Sequence, residues 1–154
     1  MVRLASVVAV LLVGMVPTSS YAMDQHTSVS PDQLKWVAAP PAFPKGAQIA
    51  VLAGDPSKEG MYVIRLKAPA GYKVMPHSHP FDENVTVLSG SFIIEMGDKV
   101  DEKKTALKPG GFAKMPKGMV HYAVFPEETV IQIHGQGPQG ISYVNPADDP
   151  RKQN

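Results

Sequence analysis

The sequence predicts an all-β fold, a sandwich or barrel. Fifteen prolines and thirteen glycines are spread along the chain and interrupt short β-type runs. Beyond the apolar N-terminus, no run keeps a sustained helical period. Short strands at this spacing, without helices between them, define an all-β layer architecture.

The elements follow in order. Residues 1–22 read as a signal peptide: Arg3 supplies the positive start, residues 4–16 the apolar stretch, and Ser20 and Ala22 the small residues of a cleavage site before Met23. The apolar stretch is shorter than the ~20 residues that span a bilayer, so no permanent membrane anchor is expected. The expected location is periplasmic or secreted. Residues 23–45 form a Pro-rich arm with Trp36 and Pro40, Pro41 and Pro44, in which residues 31–35 supply at most one turn. The domain proper spans 46–145, with β-type runs at 48–54, 61–67, 84–97, 111–116, 119–125, 128–135 and 141–144. Alternation gives Tyr62, Ile64 and Leu66 one face, which reads as core, and Val63, Arg65 and Lys67 the other. The polar segment 146–154 reads as a flexible tail.

Composition excludes several functions. Basic and acidic residues number 15 and 14, and cleavage removes Arg3, so the exported chain is balanced. No nucleic-acid partner is expected from that balance. There is no cysteine, which removes disulfides, thiolate metal sites and cysteine nucleophiles.

Four of the five histidines are His77, His79, His121 and His134. His77 and His79 are one residue apart and share a face of a strand. Glu83 follows after a turn and can close over them, and His121 on another strand can complete a nitrogen/oxygen metal site. Glu83, Val85 and Val87 share a face, as do His121, Ala123 and Phe125. Ligands aligned with Val85, Val87 and Phe125 describe an apolar pocket with a metal at its polar end. Met75 and Met119 each precede a histidine by two residues. They either line the pocket as flexible filler or offer soft sulfur to copper. Gln132 and His134 share a face of the 128–135 run. They are either catalytic candidates in the pocket or partly exposed strand residues.

Gly71, His77, His79, Glu83 and Gly90 form one spaced block, and Gly110, Pro116, Gly118 and His121 a second. This pair of blocks resembles the two-part signature of the cupin family. The second motif usually ends in Asn four residues after its histidine, where this chain has Phe125. The resemblance implies a double-stranded β-helix or jelly-roll sandwich, the cupin barrel. It also implies one divalent transition metal (Fe, Mn, Ni, Cu or Zn) held by His77, His79, Glu83 and His121, with positions left for water and a small-molecule ligand or substrate. Two functions stay open: a metal-dependent oxidoreductase, dioxygenase-like, acting on a small organic substrate, and a non-catalytic metal or small-ligand binding module. A homodimer is expected, with the 23–45 arm laid along an exposed sheet edge.

Overall fold

A computed structural model describes residues 26–153. The expected signal peptide and the Met23 terminus lie outside the described residues. The ten strands are β1 (Val37–Ala38), β2 (Gln48–Ala53), β3 (Gly60–Ala68), β4 (Tyr72–Ser78), β5 (Glu83–Ser89), β6 (Ile93–Met96), β7 (Phe112–Met115), β8 (His121–Phe125), β9 (Thr129–Gly137) and β10 (Ser142–Tyr143). They form a six-stranded sheet, β1-β2-β3-β9-β5-β7, and a four-stranded sheet, β10-β4-β8-β6, with every pairing antiparallel.

The expectation of a barrel is corrected here. Neither sheet closes on itself: β1 and β7 are the edges of one, β10 and β6 of the other. The all-β class stands, as two open sheets with the core between them. At one end of each sheet lies a two-residue strand, β1 or β10, too short for the ladder that closure requires.

The expected alternation positions the core. Tyr62, Ile64 and Leu66 on β3, Val85 and Val87 on β5, and Ile131 and Ile133 on β9 are all buried. They pack in one cluster with Val74 of β4 and Ala123 and Phe125 of β8. Strand β8 is buried on both faces. Its second face, Tyr122 and Val124, packs with Ile93 beneath Val100 and Ala106.

Two departures from the expected strands matter for the site. The 84–97 run divides into β5 and β6, which belong to different sheets. Gly90 makes the break: its φ is +77°, and a Cβ there would lie 2.4 Å from both the Glu128 carbonyl and Thr129 Oγ1. Strand β4, which carries His77, is absent from the expected set because Lys73 and Pro76 disrupt its apolar pattern. Pro76 is tolerated where the β4–β8 register shifts, between Val74 and His77. Its carbonyl still accepts from the Val144 amide at 2.9 Å.

The arm folds back on its own chain. Val37 and Ala38 pair with Ile49 and Gln48, and the Tyr72 and Tyr143 hydroxyls donate to the Pro44 and Ala42 carbonyls at 2.7 and 2.8 Å. The tail also docks. Residues Pro146–Asp148 and Pro150–Lys152 form short 3-10 turns, and Arg151 bridges Asp149 and the Ile141 carbonyl. Most of these contacts are local to the tail, and the Arg151–Ile141 bond ties it to the domain.

Candidate metal centre

His77 is the penultimate residue of β4, His79 follows in the turn, and His121 opens β8, paired with His77 across the ladder. Glu83 opens β5 in the opposite sheet. All four are buried. The ligand atoms of the three histidines lie within 4.8 Å of one another. The Glu83 carboxylate stands 3.5 Å from His79 Nε2 and 3.6 Å from His121 Nε2, close but too long for good hydrogen bonds.

The outer ring nitrogens decide what the inner ones can do. Nδ1 of His77, His79 and His121 meets the carbonyls of Met75, Gly140 and Met119 at 2.7, 2.7 and 3.1 Å. A carbonyl only accepts, so each Nδ1 carries the proton and each Nε2 keeps a lone pair. Nε2 of His79 and of His121 is buried with no hydrogen-bond partner. Buried polar atoms are seldom left unpaired, and backbone carbonyls that lock the ring tautomer are the usual support of metal-bound imidazoles. The buried three-histidine site is therefore suited to a single divalent transition metal.

Electrostatics agree with a neutral His77 ring. Burial, with His121 and His79 beside it, pushes the His77 imidazole down to about 3. The His77 shift has a measurable consequence. In the metal-free protein the unfolded chain takes up a proton below pH 6.5 that folded His77 refuses until about pH 3. Stability is thus expected to fall on acidification through that window, by up to about 1.4 kcal/mol per pH unit. Above the window the effect vanishes. Urea midpoints of metal-free wild type and His77→Asn at pH 7.5, 6 and 4.5 check this, and the variant should show the flatter profile.

The centre opens into an apolar cavity of about 30 Å³. Val85 and Phe125 line it as expected, joined by Leu66, Phe92, Ile131 and Ile133. Val87 is buried in the surrounding core and does not reach the cavity. Met75 and Met119 are corrected as lining residues. Met119 is 46% exposed, and what both bring to the centre is a backbone carbonyl, not sulfur. The catalytic candidates His134 and Gln132 lie outside the cavity, on the outer face of β9, because Ile131 and Ile133 take the inner one. Gln132 accepts from Arg65 Nε at 3.3 Å. His134 borders a surface hollow with Met61, Asn84 and Lys117.

Sequence reasoning missed Phe43, which reaches the cavity from the arm. Its neighbours Pro40, Pro41 and Pro44 mark an extended segment but not its destination.

Two open antiparallel sheets enclosing a buried three-histidine centre define a small metal-binding domain of cupin type. The chain belongs to the ChrR cupin-like domain family, whose model matches residues 24–140. No curated protein sequence matches it significantly. Among solved structures it is similar to the polyketide cyclase RemF from Streptomyces resistomycificus. The two are 19% identical, 83% of this chain and 92% of that one are covered, and the TM-score is 0.66. An acetylacetone dioxygenase from Acinetobacter johnsonii is 16% identical, with 88% and 87% covered and a TM-score of 0.62. KdgF from a Halomonas species is 23% identical, with 70% and 91% covered and a TM-score of 0.54. At these identities the likeness is one of fold.

Proposed function

We propose that the protein is an exported, metal-dependent oxidoreductase acting on a small organic substrate, with His77, His79, Glu83 and His121 as the ligands. The observation that carries this is the pair of buried, unpartnered Nε2 atoms aimed at the Glu83 carboxylate from an apolar cavity. When bound, the ion supplies Lewis acidity and, if redox-active, electron transfer. The chain's own groups do the rest. The carbonyls of Met75, Gly140 and Met119 hold the imidazoles in one tautomer. Leu66, Val85, Phe125 and Ile133 exclude water and receive the apolar part of a substrate. The fold-level similarity to an acetylacetone dioxygenase supports a dioxygenase-like reaction as an analogy.

A second reading, a non-catalytic metal or small-ligand binding module, is favoured by the position of His134 and Gln132 outside the cavity. Besides the four proposed ligands, no lining residue carries a polar side chain.

The test begins with elemental analysis of protein isolated from its native compartment, expected to return one metal per chain. No metal there, and none after exposure to Fe, Mn, Ni, Cu or Zn, overturns the enzyme reading and leaves of the second only small-ligand binding. Oxygen uptake by the iron-loaded protein with acetylacetone supports the enzyme, and binding without uptake the module. Export through residues 1–22 is part of this proposal, with Met23 as the mature terminus. N-terminal sequencing that found residues 1–16 retained would reject it. Homodimerisation is proposed as well, on the exposed Val37, Val51, Met61 and Phe112 of the six-stranded sheet, and light scattering at micromolar concentration decides it.

A further inference from the structure

The cavity at the metal centre is too small for an organic ligand. Its volume is about 30 Å³, where a single water needs ~10–15 Å³. Any larger ligand requires a lining group to move, and the lining groups differ in how firmly they are held. Most sit on paired strands. His79 is tied to the Gly140 carbonyl. Phe92 exchanges two backbone hydrogen bonds with Leu107, at 3.0 and 2.7 Å.

Phe43 differs from all of them. It is half-buried, belongs to neither sheet and comes from the arm. The same ring borders a surface cleft of about 220 Å³, shared with Pro40, Ala42, Pro56, Gly140 and Ile141. That cleft also borders Gly140, whose carbonyl holds His79, and Phe43 is the one residue that lines both the cleft and the cavity. One aromatic ring therefore separates a cavity of about 30 Å³ from a cleft of about 220 Å³. The backbone on either side of it is pinned by the Tyr143 and Tyr72 hydroxyls, on the Ala42 and Pro44 carbonyls. Phe43 also borders a hollow of about 410 Å³ with Ala38, Pro41, Lys45 and Pro150, which shares no other residue with the cavity, while the hollow near Tyr62 and Phe81 has only about 10 Å³ and is divided from the cavity by His79 and Glu83.

Charge narrows what can pass. The cleft's one cation, Arg151, is engaged by both carboxylate oxygens of Asp149 and by the Ile141 carbonyl. Among the described residues, the one carboxylate inside the cavity is Glu83, and no lysine or arginine lines the wall. An anion would meet Glu83 with no cationic side chain to offset it.

We propose that Phe43 is the gate and size-selecting residue between this cleft and the metal centre, and that the ligand it admits is an uncharged, largely apolar molecule with one donor atom. This rests on the metal-centre reading above. It adds a residue, a route and a ligand class to that reading.

The experiment uses the full chain loaded with Co(II), whose visible absorption reports coordination, and three probes: pyrazole, 3-phenylpyrazole and acetate. Wild type is expected to bind pyrazole and to resist the phenyl derivative. Phe43→Ala should bind 3-phenylpyrazole at least about tenfold tighter relative to pyrazole, the scale on which pocket volume discriminates. Phe43→Leu should fall between, and Phe43→Trp should weaken both azoles. An unchanged ratio in Phe43→Ala and Phe43→Leu overturns the gate, as does an equal change in Phe92→Leu, which opens the wall elsewhere. Acetate binding as well as pyrazole overturns the ligand class. If wild type takes up no Co(II), the metal reading fails and the gate is judged in the metal-free chain. There, diethyl pyrocarbonate should label His121 at least about tenfold faster in Phe43→Ala, at unchanged secondary structure. Equal rates overturn the gate. Should Phe43→Ala fail to fold, Phe43→Leu carries both measurements.

Discussion

Replacing His121 with alanine is expected to abolish stoichiometric metal binding. His121 is 1% exposed and sits on β8, between β4 and β6, so solvent cannot substitute for the lost ring without entering the core. Removing a group that merely supports a metal ligand costs about 10–100-fold in affinity, and removing the ligand itself should cost more. Elemental analysis after dialysis reads the loss. His77→Ala should behave alike, whereas His134→Ala should keep its full metal, because that ring lies outside the cavity. Thermal stability supplies an independent readout. Metal at a hundred times its Kd should stabilise wild type by about 2.7 kcal/mol, and His121→Ala by nothing. Full metal content in both His77→Ala and His121→Ala would remove the ligand assignment altogether.

A chain beginning at Gly46 is expected to lose several kcal/mol of stability, with no change of oligomeric state required to explain it. The truncation deletes β1 and its pairing with β2 and takes Phe43 from the cavity wall. It also removes the acceptors of two partly buried tyrosine hydroxyls, on Tyr72 and Tyr143. A buried hydroxyl left without a partner costs roughly 1–3 kcal/mol. Burial already pushes the Tyr143 hydroxyl up to about 12, so ionisation offers it no relief near neutral pH. Urea unfolding measures the stability, and light scattering on both chains separates this from a role in assembly. A truncated chain as stable as wild type would show that the arm's contacts contribute nothing. A stable monomer from a dimeric parent would restore the arm to the interface.

The two outcomes differ in how far the amino-acid order alone could anticipate them. The histidine cluster, with Glu83 beside it, was legible because spacing is local: His77 and His79 are one residue apart, and the Glu83 and His121 strands carry valine and phenylalanine on the same faces as Glu83 and His121. The inward faces of β3, β5 and β8 followed from that rule. Strand β4 did not, since Pro76 breaks the pattern and the register shift that accommodates it is a property of the β4–β8 pair.

Faces were decided by packing wherever both sides of a strand were plausible. Nothing local chooses between Ile131 with Ile133 and Gln132 with His134, until β9 lies between β3 and β5 and its isoleucines meet the opposite sheet. Whether the sheets close is likewise a question of which edges meet, and β1 and β10 are too short to answer it with a ladder. The sequence by itself determined the all-β class, the spaced histidines and glutamate, and the apolar character of the surrounding wall, because each follows from residues a few positions apart. Only the tertiary structure decided that the sandwich stays open, that His134 faces outward, that the tail docks, and that Phe43 reaches the metal cavity. Each of those depends on contacts between segments ten or more residues apart, where sequence spacing no longer constrains distance.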